Sequence, residues 1–174
     1  MRVLKQGERH RVRFTLNGEA VEGYAEPRML LTDFIRHEIG ATGTHVGCEH
    51  GICGACTIFV DKKAVRACLM LAVQANGKTI ETVESLADKD GKLSILQAAF
   101  HRNFALQCGF CTPGFLMSLS EYLARNPDPT EKDVREALSG NICRCTGYAE
   151  IVNAALEAAR ELRASATGAF SGEV

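Results

Sequence analysis

Eight cysteines are the residues best able to do chemistry in this sequence: Cys48, Cys53, Cys56, Cys68, Cys108, Cys111, Cys143 and Cys145. They form two sets, four between positions 48 and 68 and four between 108 and 145, with none elsewhere. In a small secreted chain an even number of cysteines would suggest disulfides. The stretch MRVLKQGERHRVRF lacks the apolar segment of a secretion signal. No apolar run approaches the roughly 18 residues of a membrane span. The expectation is a cytoplasmic protein with reduced thiols, and reduced thiols in fours point to metal ligation.

The first set reads Cys48-x4-Cys53-x2-Cys56, with Cys68 after eleven further residues. That is the plant-type ferredoxin spacing for a [2Fe–2S] cluster. Gly43, Gly47, Gly51 and Gly54 interleave with these cysteines. Glycine permits positive φ and lets backbone N–H groups approach the sulfurs, and such donors stabilise an anionic cluster. Structural zinc usually shows CxxC pairs, which the x4 spacing fits poorly. The second set, Cys108-x2-Cys111 and Cys143-x-Cys145, is split by thirty-one residues. By spacing alone it suits zinc or an iron–sulfur cluster. Each pair precedes a predicted helix, one near Pro113 and one near Tyr148. Helix N-termini favour anions and lower thiolate pKa. Two such ends would hold a cluster between helices, more enclosed than the loop site.

The elements that must position these thiols follow from periodicity and turn chemistry. Residues 11–25 alternate around Asn17-Gly18, a type I′ hairpin signal. Leu30, Leu31, Phe34 and Ile35 form a helical stripe that Gly40 ends. TIFV (57–60) and AVRAC (64–68) predict paired strands around Asp61-Lys62-Lys63, and Lys78 to Val83 predicts one more strand. The second half predicts four short antiparallel helices over 94–106, 113–125, from Thr130, and over 148–163. Pro113 suits a first turn, and Thr130 with Asp133 approximates a capping box. The fold class is therefore α+β. The divisions are 1–83, 84–164 and a tail over 165–174 expected to be disordered.

GCEHGICGACT (47–57), QCGFCTPG (107–114) and GNICRCTGY (140–148) resemble the iron–sulfur small subunit of the xanthine oxidase and carbon monoxide dehydrogenase family of molybdenum hydroxylases. The likeness covers about residues 11–162 and places all eight cysteines where that family has cluster ligands. It implies two [2Fe–2S] clusters, the first on Cys48, Cys53, Cys56 and Cys68 and the second on Cys108, Cys111, Cys143 and Cys145. It implies an N-terminal β-grasp plant-type ferredoxin domain followed by a four-helix bundle domain. It also implies partners: a large subunit with molybdopterin, usually the cytosine dinucleotide, and a medium subunit with FAD, with a dimer of heterotrimers as one assembly. Electrons would run from molybdenum through the clusters to flavin. Gln107 would contact the pterin.

Other residues carry blander expectations. His45 and His50 flank the first set, but a Rieske centre uses two cysteines and two histidines, and four cysteines suffice. His37 and His101 are expected to be solvated, and Phe110 and Phe115 to serve packing. Arg144 could offset cluster charge, sit at the surface or meet a partner. The net charge of -1 gives no basic face for nucleic acid. No G-x-G-x-x-G follows a strand and no G-x-S-x-G occurs, so no substrate centre is expected on this chain. Three functions compete: a molybdenum hydroxylase subunit, a free-standing two-cluster ferredoxin, and a zinc-binding interaction module. Within the first, the loop leans to N-heterocycle hydroxylases over carbon monoxide dehydrogenase.

Overall fold

The computed structural model describes residues 4–88 and 90–168. The first half is a mixed five-stranded sheet, in the order β2-β1-β5-β3-β4. Its strands are β1 (His10–Leu16), β2 (Glu19–Ala25), β3 (Thr57–Val60), β4 (Lys63–Arg66) and β5 (Thr79–Glu81). The β1–β2 hairpin turns on Asn17 and Gly18, with φ of 51° and 87°, as a type I′ turn demands. On β1, Val12, Phe14 and Leu16 point inward while Arg11 and Arg13 stay exposed. That period-2 pattern fixes which face of the sheet is buried.

Helix α1 (Leu31–Asp33) covers that face and continues as a wider turn over Phe34–Ile39. Leu31, Phe34 and Ile35 are fully buried, each contributing about 1.5–3 kcal/mol through apolar burial. Gly40, with φ of 86°, ends the segment. Arg36 on the wide turn donates to the carbonyls of Thr42 and Thr44 at 2.6 and 2.7 Å. Glu84 accepts the Gly43 N–H at 2.7 Å. The entry to the first cysteine loop is thereby held from two sides.

The second half is helical, with α2 (Ile95–Arg102), α3 (Thr112–Arg125), α4 (Glu131–Ala137) and α5 (Ala149–Gly168). They share a core that includes Phe100, Phe115, Leu119, Val134 and Ile151. Arg102 on α2 pairs with Glu157 on α5 at 2.6 Å and with Glu161 one turn on. Thr130 and Asp133 cap α4 reciprocally, the Thr130 N–H donating to Asp133 Oδ2 at 2.9 Å. Helix α3 also packs on β3 and β4, so the two halves touch. The architecture is α+β.

Several elements differ from their sequence-based expectation. Cys68 lies on a 3-10 turn, Ala67–Leu69, rather than on the strand after the loop. The helix expected over 94–106 stops at Arg102, because Phe104 takes φ of 50° and the Ala105 N–H turns back to the Phe100 carbonyl at 2.9 Å. That left-handed cap usually falls to glycine, so nothing in the local sequence announces it. Helix α5 runs through Gly168, so residues 165–168 are helical where the tail was expected to begin. The rest of that tail lies outside the described residues.

Candidate metal centres

Three cysteines of the first set sit on one loop, and its backbone turns inward upon them. The amides of Cys53, His50 and Ile52 point at the Cys48 sulfur, with the Cys53 N–H at 3.4 Å. Those donors hold the Cys48 thiol down at about 6. Burial pushes Cys53 up, against the amides of Ala55 and Gly47. Burial, then the neighbouring Cys56 thiol, raises Cys68 to about 11. Cys48 therefore meets Cys53, and Cys56 meets Cys68. Gly51 and Gly54 take positive φ. Gly43 and Gly47 are needed for closeness: a Cβ on Gly47 would stand 3.1 Å from the Cys53 sulfur, and one on Gly43 2.6 Å from the Glu84 carboxyl.

The second set is gathered from two turns far apart in sequence. Cys108 and Cys111 precede α3, and Cys143 and Cys145 precede α5. The Cys108 and Cys145 sulfurs lie 3.5 Å apart, and the Cys111 thiol meets that of Cys143. Thr146 bonds the Cys143 sulfur twice, through Oγ1 at 3.2 Å and its N–H at 3.4 Å. The Tyr148 hydroxyl accepts the Cys143 N–H at 2.9 Å and donates to the Asn141 carbonyl at 3.3 Å. Phe115 supports the Tyr148 ring edge-on at 6.0 Å.

Here two expectations fail. Helix N-termini were to lower the thiol pKa, yet Cys111, at the N-cap of α3, is pushed up to about 12 by burial and then by Cys143. Cys145 is raised by the Cys108 thiol. Cys143 is lowered: burial opposes it, but the hydroxyl and amide of Thr146 prevail. Burial and thiol–thiol contact outweigh the helix end. The second set was also expected to be the more enclosed. Cys108 and Cys145 are exposed, whereas Cys56 and Cys68 are buried, because the second set caps the helix ends instead of lying between them.

These donors fit [2Fe–2S] clusters. Each iron of such a cluster takes two thiolates, and each set brings its thiols together two by two. Among the described residues no three His, Cys, Asp or Glu side chains are arranged to hold a single metal ion. Amides turned toward sulfur suit an anionic group. Beside Cys111, the buried Thr112 hydroxyl has no hydrogen-bond partner.

The remaining candidates are placed as follows. His45 stacks on Phe110 at 5.0 Å and its Nδ1 lies 2.7 Å from the Phe110 carbonyl. Neither residue was singled out for this pairing, which joins residues 65 apart. His37, His50, His101, Gln107 and Arg144 are exposed, and Phe115 is fully buried in the helical core. Thr146 and Tyr148 were missed. Their signal was only their place beside the last two cysteines.

Residues 14–94 match the 2Fe-2S iron-sulfur cluster binding domain family, and residues 82–156 match the [2Fe-2S] binding domain family. The chain is 55% identical over 148 residues to the caffeine dehydrogenase subunit gamma of a Pseudomonas species, covering 83% of this chain and 88% of that one. It is 56% identical over 143 residues to the nicotine 6-hydroxylase small subunit of Paenarthrobacter nicotinovorans, covering 82% and 86%. Quinoline 2-oxidoreductase from Pseudomonas putida 86 contains a chain that superposes with a TM-score of 0.85 at 48% identity, over 95% of this chain and 99% of that one. With two [2Fe–2S] domains and these relatives, the chain belongs to the iron–sulfur small subunits of the xanthine, nicotine and caffeine dehydrogenase family of molybdenum hydroxylases, and so to an oxidoreductase complex.

Proposed function

We propose that the chain is the electron-transfer subunit of a molybdenum hydroxylase acting on an N-heterocycle, an aldehyde or a similar small substrate. Cys48, Cys53, Cys56 and Cys68 hold one [2Fe–2S] cluster on a β-grasp ferredoxin unit over residues 1–83. Cys108, Cys111, Cys143 and Cys145 hold the second on a four-helix bundle over 84–164. Clusters of this kind supply one-electron transfer when bound. The chain thereby links a molybdopterin centre on a large subunit, in the cytosine dinucleotide form, to FAD on a medium subunit, in the cytoplasm. No helix among the described residues is long and apolar enough to cross a membrane.

The single observation that carries this reading is the pairing of the thiols within each set. Cys48 and Cys56 each meet the next cysteine of their set, and Cys108 and Cys111 meet Cys145 and Cys143 across α3 and α5. The outer face of the second set supports the order of the relay. Cys108 and Cys145 are exposed beside Gln107, within a fringe of Phe104, Leu106, Phe110 and Ile142, all exposed apolar residues. The large subunit docks there and Gln107 contacts its pterin. Ile52 and Leu69 are exposed on the first cysteine loop and on the turn that carries Cys68, and they face the flavin subunit.

Rapid mixing of the assembled complex with substrate tests the order. In Cys53→Ser, electrons reach the helical site but not flavin. In Cys111→Ser, they reach neither the ferredoxin site nor flavin. The opposite pattern reverses the order, and substrate turnover by this chain alone overturns the subunit assignment.

A further inference from the structure

The two cysteine sets are joined by a seam of polar and backbone contacts. Ile142, next to Cys143, donates its N–H to the carbonyl of Cys53 at 2.9 Å. Gly54, next to Cys53, has φ of +75°, and a Cβ there would stand 2.5 Å from the Gly140 carbonyl oxygen. Gly114, in the first turn of α3, packs against the same peptide, where a Cβ would stand 2.2 Å from the Gly54 carbonyl oxygen. Arg66 on β4 spans the seam, donating to Thr57 Oγ1 at 2.5 Å and to the Gly140 carbonyl at 2.7 Å. Asn141, buried in the seam, places Nδ2 3.4 Å from the Gly54 carbonyl.

We propose that this seam is the electron path between the two sites, with Cys143 and Cys53 as its terminal ligands, and that Gly54, Gly114 and Arg66 are positioning residues that keep it short. The proposal rests on both cysteine sets holding [2Fe–2S] clusters. From the Cys143 sulfur the path follows the side chain to the backbone, crosses to the Ile142 nitrogen, passes one hydrogen bond and returns through the Cys53 carbonyl to its sulfur. A second hydrogen-bonded crossing near the cysteines, from Phe110 to His45, is longer. It adds an imidazole ring and the backbone of Val46 and Gly47 before it reaches Cys48. Every added bond weakens electronic coupling, so the Cys53–Ile142 link dominates. Each event takes one electron from the site of Cys143, oxidising it, and delivers one to the site of Cys53, reducing it. The oxidoreductase complex supplies the electron, and no proton or atom crosses.

The glycines explain why the link can be this close. Any side chain at 54 or 114 would meet backbone oxygen, which cannot rotate away. A methyl group at 114 therefore separates α3 from the first cysteine loop and stretches the Cys53–Ile142 bond. The test is Gly114→Ala in the full chain, loaded with iron and sulfide, with Arg66→Met as the milder variant. Two readouts apply after chemical reduction: the splitting between the two EPR signals that reports their mutual distance, and the rate of internal electron equilibration after pulse reduction. The expected result is unchanged iron content, with a smaller splitting and slowed equilibration in Gly114→Ala. Arg66→Met gives a smaller change in the same direction. Splitting and rate equal to the parent in a fully loaded Gly114→Ala overturn the proposal. Where that variant does not load, the same result in Arg66→Met overturns it. A parent chain whose iron accounts for fewer than two clusters overturns the underlying assignment instead.

Discussion

The two cysteine sets reach a similar four-thiol arrangement by different means. The first takes three thiols from one loop, whose own amides are turned onto the Cys48 and Cys53 sulfurs, and its fourth from the turn that carries Cys68. The second is built by the packing of α3 against the turn before α5, and its shortest donors to sulfur are on the Thr146 side chain and backbone. A loop site depends on a continuous stretch of chain and on glycine. A helix-end site depends on a distant core and on hydroxyl groups that a single substitution removes. The second site should therefore be the more sensitive to remote packing and the easier to tune.

Loss of a ligand has the largest effect. Cys111→Ser should remove about half of the iron if each set holds its own cluster, as proposed, and should leave the EPR signal of the loop site in place. Loss of both signals in a folded variant would mean that the two sites do not form independently. Core damage comes next. Phe115 is fully buried in the helical half and supports Tyr148. Phe115→Ala should cost about 3–5 kcal/mol, measured by denaturant unfolding, and the second signal should disappear at lower denaturant than the first. Equal sensitivity of both signals would break the comparison.

Much of the first site was legible because its determinants are local. Cys48, Cys53, Cys56 and their glycines lie within one loop, and Asn17-Gly18 and Thr130 with Asp133 formed the turn and cap that their chemistry predicts. The second site was legible as a pair of pairs but not as a geometry. Its Cys108–Cys145 contact joins residues 37 apart, and the preference of helix ends for thiolates gave way to burial at Cys111. The seam was not legible at all. Gly114 falls within the helix predicted over 113–125, and only the tertiary fold brings it against Gly54. The left-handed Phe104 was hidden for a related reason, since its conformation follows from the Ala105–Phe100 hydrogen bond.

A finer test sharpens the contrast in donors. Thr146→Val removes the hydroxyl that bonds the Cys143 sulfur, and hydrogen bonds to sulfur raise cluster potentials. The second signal should titrate at a lower potential, Thr146→Ser should restore it, and the first signal should not move. The smallest effect belongs far from both sites. Arg11 and then Arg13 bond Glu22 and hold its carboxyl down at about 2. Because the folded-state value lies below the ordinary 4.5, this contribution is fully present above that value and is lost as pH falls toward 2. The pair is exposed and screened by salt. Glu22→Gln should differ slightly from the parent in thermal stability at neutral pH, the gap should close on acidification, and neither EPR signal should change.

The central claim, two [2Fe–2S] clusters on one chain, is tested most directly by iron and acid-labile sulfide analysis of fully loaded protein, with EPR of the same sample after reduction. With two such domains on the chain, about four irons and about four sulfides should be found, with two distinguishable signals, one from the loop site and one from the helix-end site. About two irons and two sulfides with a single signal, or colourless protein with zinc in place of iron, would contradict the account.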